Sequence, residues 1–149
     1  MPDLATGRHR LPLLAVSQAL KEVTHNEALV LIDALLHTEI ENILSLAPVP
    51  TDIDIGKCWL IGPAPSGSWA TKSGHIAIWV GGSWRFVEPQ NGMRVWNKAL
   101  NRQILYVTGQ WISAPVISVP NGGTVVDIQA RATLIAILQF FRSTGILAT

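Results

Sequence analysis

The sequence predicts an α+β fold: N-terminal helices that self-associate, a small Trp-rich antiparallel β-meander, and a C-terminal helix. Three observations lead there. Residues 18–46 contain no proline or glycine, and their apolar residues recur at helical steps. Over residues 57–113 β-branched and aromatic residues dominate, punctuated by glycine-containing turns. Beyond the breaker Val119-Pro120-Asn121-Gly122-Gly123, helical periodicity returns.

Residues 1–10 are polar, with Gly7, Arg8, His9 and Arg10, and read as a flexible attachment arm that orders on a partner. Residues 11–149 read as one domain, helical over 11–47, an antiparallel sheet over 57–119 and a helix over 124–144. Pro12 suits a first helical turn, and Leu13, Leu14, Val16 and Leu20 give a helix over about 12–22 an apolar face. The weak helix formers Val23-Thr24-His25-Asn26 predict a kink or break. Thr24 and Glu27 have the spacing of a capping box for a second helix. Along it Leu29, Ile32, Leu36, Ile40 and Ile43 form one stripe, and Leu31, Leu35 and Leu44 a second. A small sheet covers one side of such a helix. The other side calls for a further copy, which makes Leu29, Ile32, Leu36, Ile40 and Ile43 the oligomer-interface candidates.

Pro48 and Pro50 end the helical stretch. Asp52 and Asp54 in the connector suggest calcium, but Lys57 follows Gly56 and no glutamate closes the loop as an EF-hand requires. No metal site is expected there. Lys57-Cys58-Trp59-Leu60-Ile61 reads as a strand. Gly81-Gly82 joins two strands as a hairpin, with Trp79 facing Trp84, Ala77 facing Phe86 and Ile76 facing Val87. Asn91-Gly92 turns the chain into Met93-Arg94-Val95-Trp96. Thr108-Gly109 makes a second hairpin, with Tyr106 opposite Trp111. Five to seven strands are expected. Thr124 and Asp127 then mark a helix start, with Ile128, Ala132, Ile135 and Leu138 on one stripe, Leu134, Ile137 and Phe141 on a second, and Gly145 as the stop.

Of 149 residues 48% are hydrophobic and 14% charged, more apolar surface than a small monomer hides, so an oligomer is expected. The net charge of +1, without a clustered basic face, excludes a nucleic-acid footprint. No apolar run reaches the roughly 18 residues that span a bilayer, so no membrane insertion is expected. The first ten residues lack a signal peptide's apolar core, which implies synthesis in the cytoplasm.

Cys58 sits in an apolar run and reads as a buried thiol. His9, His25, His37 and His75 match no zinc spacing. Neither a GxSxG, a P-loop nor a GxGxxG is present, and Glu39 and Glu41 point apart on a helix. The chain therefore reads as non-enzymatic, with no catalytic residue and no cofactor. Six tryptophans suit either a thin sheet's core or stacking on sugar rings. Trp79 and Trp84 share a face with Phe86 and read as core. Trp69, in a Gly/Ser/Pro-rich loop, reads as the most exposed, and Trp69 and Trp111 are the glycan-contact candidates.

Several blocks resemble a phage tail family that also occurs in gene-transfer agents. They are Leu-Pro-Leu-Leu at residues 11–14, Gln18 with Lys-Glu-Val-Thr-His-Asn-Glu-Ala-Leu at 21–29, and Ile32-Asp33-Ala34-Leu35. Gly56-Lys57-Cys58-Trp59, Gly82-Ser83-Trp84-Arg85-Phe86, Gly92-Met93-Arg94-Val95-Trp96 and the closing Thr-Val-Val-Asp-Ile-Gln-Ala-Arg-Ala at 124–132 are also similar. The resemblance implies a homotrimeric tail-fibre or tail-tip component of a virion, joined to other tail or baseplate proteins and linking the baseplate to host-surface recognition. The alternative reading is a carbohydrate-binding module that grips host surface polysaccharide through exposed tryptophan. An enzyme such as a glycan depolymerase is the third reading, opposed by the lack of a close acid pair.

Overall fold

The first helix, α1 (Lys21–Leu35), ends where His37 takes the left-handed backbone conformation, at φ 54°. Thr38 Oγ1 donates to Leu35 O at 3.2 Å and takes up one of the carbonyls the helix end leaves open. The chain then enters a strand, β1 (Glu39–Leu46), where the sequence reading continued the helix to residue 47. In this computed structural model, which describes residues 4–15 and 21–148, both helices and a seven-stranded sheet bear out the α+β class. Isoleucine at 40 and 43 fits a helical step, but Ile40, Asn42, Leu44 and Leu46 also alternate with strand period. Burial decided between them: Ile40 is fully buried at the centre of the sheet.

The other strands are β2 (Cys58–Ser66), β3 (Ile76–Trp79), β4 (Trp84–Val87), β5 (Arg94–Asn97), β6 (Arg102–Val107) and β7 (Gln110–Ser113). Their order is β4-β3-β2-β1-β5-β6-β7. β1 pairs in parallel with both β2 and β5, and every other pairing is antiparallel. The expected single meander is thus two three-stranded meanders with β1 set between them. Parallel pairing needs a crossover connection. Residues 47–57 supply the one into β2, pinned where Trp79 Nε1 donates to Thr51 O at 3.1 Å. Both hairpin registers agree with the sequence reading: Ile76↔Val87, Ala77↔Phe86, Trp79↔Trp84 and Tyr106↔Trp111. Gly81 and Gly82 both have positive φ, as the tight turn between β3 and β4 requires.

The sheet rolls. Trp111, on the edge strand β7, donates through Nε1 to Gly74 O at 2.8 Å, although Gly74 lies just before β3 on the far side of β1. The inside of the roll holds Ile40, Cys58, Leu60, Ile76, Ile78, Val95 and Ile104, closed by Ala34 and Leu31 of α1. The opposite face carries Trp59, Ile61 and Ala77, covered by Trp69, Trp84 and Phe86. Trp84 is the hub, with the rings of Trp59, Trp69 and Trp79 at 5.4, 5.1 and 5.1 Å.

The segment expected to be a loose arm is docked. Over residues 4–13 the chain doubles back, with Ala5 bridged to Pro12 and Thr6 buried. Asp33, 2% exposed, accepts from Arg8 N at 2.8 Å and His9 N at 2.7 Å. The Arg8 guanidinium donates to Ala34 O and His37 O, placing a cation at the C-terminal end of α1. Pro12 therefore starts no helix. Of the helix expected over 12–22, residues 12–15 are not helical and 16–20 lie outside the described residues. The helix is not broken at 23–26, and Thr24 and Glu27 sit within α1, Glu27 pairing with Arg85 of β4. Asp33→Ala leaves two backbone N–H groups without their acceptor. It is expected to cost roughly 1–3 kcal/mol and to make residues 4–15 cleavable in limited proteolysis.

The last helix, α2 (Ile128–Ser143), starts later than the expected 124 because Asp127 is itself the cap, accepting from Ala130 N at 2.9 Å. Gly145 ends it at φ 70° and lies so close to the Trp96 ring that no Cβ fits.

Candidate functional site

Two surfaces stand out. The first is α2, of which no residue is buried. Its face turned toward the chain is the row Arg131, Ile135, Leu138 and Arg142, all half-buried. Arg131 donates to Pro120 O and Gly122 O, and Arg142 to Ile117 O, so this row is tied to residues 117–122. Beside it runs Ala130, Leu134, Ile137 and Phe141, with steps of four, three and four, the spacing of a coiled-coil seam. Leu134 is 51% and Ile137 45% exposed. The two stripes read from the sequence thus have different fates: Ile135 and Leu138 face the chain, while Leu134 and Ile137 face solvent.

Among the expected interface residues, Ile32 and Leu36 are exposed at the C-terminal end of α1, and Leu29 is half-buried. Ile43 is exposed on β1. Ile40 is removed from the group, because it lies on β1 with no exposed surface.

The second surface is a cleft of about 630 Å³ where the roll brings β2 and the turn before β3 against the β6–β7 hairpin. Tyr106 and Trp111 stand side by side in its wall, ring centres 5.1 Å apart. His75, Glu88 and Gln110 also line it. His75 Nδ1 lies 3.3 Å from Ser73 O. Trp111, one of the two glycan-contact candidates, is here. The other, Trp69, is not exposed at all. Its loop makes a helical turn over Gly67–Trp69, with Gly67 at φ 62°, and folds the indole onto the sheet. Polar neighbours in sequence suggested exposure, yet the face made by Trp59, Ile61 and Ala77 needed a cover and Trp69 is that cover.

The remaining candidates are structural. Burial pushes the Cys58 thiol up to about 12, so it is no nucleophile at neutral pH. Asp54 spends both oxygens on its own turn: Oδ1 meets Lys57 Nζ at 2.7 Å, and Oδ2 accepts from Thr51 N and Oγ1. The Lys57 ammonium, followed by the Thr51 N–H, holds its carboxyl at about 2. Among the described residues no cluster of three or more His, Cys, Asp or Glu is placed to hold a metal ion, and no helix is long and apolar enough to cross a membrane.

In comparison with known families, the model of DUF2793, described as a protein of unknown function, aligns with residues 25–112. That span runs from within α1 through most of β7 and includes the cleft. No curated protein matches the chain.

Proposed function

The chain belongs to the DUF2793 family, and we propose that it is a structural component of a phage or phage-like tail. In this reading it is a homotrimer in a tail fibre or tail tip, joining baseplate proteins to recognition of the host surface. The observation that carries it is the free apolar stripe of α2. A 16-residue helix on its own is marginal in water, and this one leaves Leu134 and Ile137 uncovered while its other row holds the chain. Three copies that pack Ala130, Leu134, Ile137 and Phe141 about one axis hide those side chains and leave the sheets outside. The likeness of the sequence blocks to a tail family supports the same reading, with the virion tail as the proposed location. Antibody raised against the protein is expected to label one end of purified particles in electron micrographs. Label confined to cell debris, with none on particles, would contradict the tail assignment.

A further inference from the structure

We propose that the cleft between β2 and the β6–β7 hairpin binds a short neutral saccharide. Its volume of about 630 Å³ falls within the roughly 300–1,000 Å³ of small-molecule sites. One wall is the Tyr106–Trp111 pair, and aromatic faces of this kind take the C–H faces of sugar rings. Trp111 is fixed from two sides, by its bond to Gly74 O and by packing against the inner core, so the wall is formed before any ligand arrives.

Four polar groups border that wall without a protein partner among the described residues: the Tyr106 hydroxyl, the Gln110 amide, the Glu88 carboxylate and the second ring nitrogen of His75. Together they offer both donors and acceptors, as a ring of hydroxyl groups requires. Among the described residues no lysine or arginine lines the cleft, so an anionic ligand meets no opposite charge there. A small quaternary amine would use Glu88 and the two rings but leave the other three groups idle. The combination of aromatic wall, uncommitted hydrogen-bonding groups and missing cations favours a neutral polyol over either.

The inference deepens the host-facing half of the tail reading. Only the biological source of the sugar rests on that reading. An array of bacterial surface oligosaccharides, followed by calorimetric titration of the full chain with each hit, tests it. At least one neutral oligosaccharide is expected to bind, and the double variant Glu88→Gln, Gln110→Ala, both at exposed positions, is expected to weaken it at least tenfold with no change in melting temperature. Tetramethylammonium is expected not to compete. An empty array, binding unchanged in the double variant, or displacement of the sugar by tetramethylammonium would each overturn the proposal. Light scattering on the same samples reports assembly separately: a sugar-binding monomer sinks the trimer and leaves the cleft standing.

Discussion

Leu134→Glu combined with Ile137→Glu is expected to convert the protein from trimer to monomer. Each wild-type side chain contributes roughly 1.5–3 kcal/mol when fully buried, and the variant would also place carboxylates of neighbouring copies against one another about the axis. Neither side chain is buried within its own chain, so circular dichroism and thiol accessibility of the buried Cys58 should stay as in the wild type. The effect is therefore on association and is read as a loss of mass at equal concentration. Ala136→Glu, exposed and off the stripe, is the matched control and should leave the mass unchanged. A double variant that keeps the wild-type mass would place the interface elsewhere.

Trp69→Ala carries the largest expected loss of fold stability. The indole is fully buried, packs on Trp84 and closes the sheet face opposite α1. Its removal is expected to cost about 3–5 kcal/mol, as large aromatic truncations in cores do. The Nε1 atom has no hydrogen-bond partner among the described residues, so Trp69→Phe gives up no hydrogen bond. That variant should cost only about 1 kcal/mol for the lost volume. Urea unfolding followed by fluorescence separates the two. Equal and small losses for both would mean that Trp69 is not the cover of that face.

The hairpins were legible because each is written locally. A glycine-bearing turn fixes the register, and once Gly81-Gly82 and Thr108-Gly109 are placed, the facing pairs follow. The helical character of residues 128–143 was equally local. β1 was hidden because Ile40 and Ile43 stand a helical step apart and polar Asn42 interrupts the strand period of Ile40, Leu44 and Leu46, so only the sheet around it chose between the two. The docking of residues 4–13 was hidden for another reason: it depends on Asp33 receiving two N–H groups from residues 24 and 25 positions away. Trp69 misled because loop composition speaks for the backbone, while a buried indole is placed by what it covers.

The candidate surfaces divide in the same way. The stripe of Leu134 and Ile137 could be read from spacing, but which stripe stays free depends on Arg131 and Arg142 tying the other to residues 117–122. Tyr106 and Trp111 could be paired from sequence. Their meeting with His75 and Glu88 comes from the roll of the sheet, which brings two meanders together across β1 and has no signature in any short stretch.

The solution mass of the wild-type protein, by light scattering coupled to size exclusion over a range of concentrations, tests the self-assembled tail component most directly. A mass of three chains that persists on dilution is the expected result. A single chain at every concentration would contradict it and would leave the free stripe of α2 to a different partner.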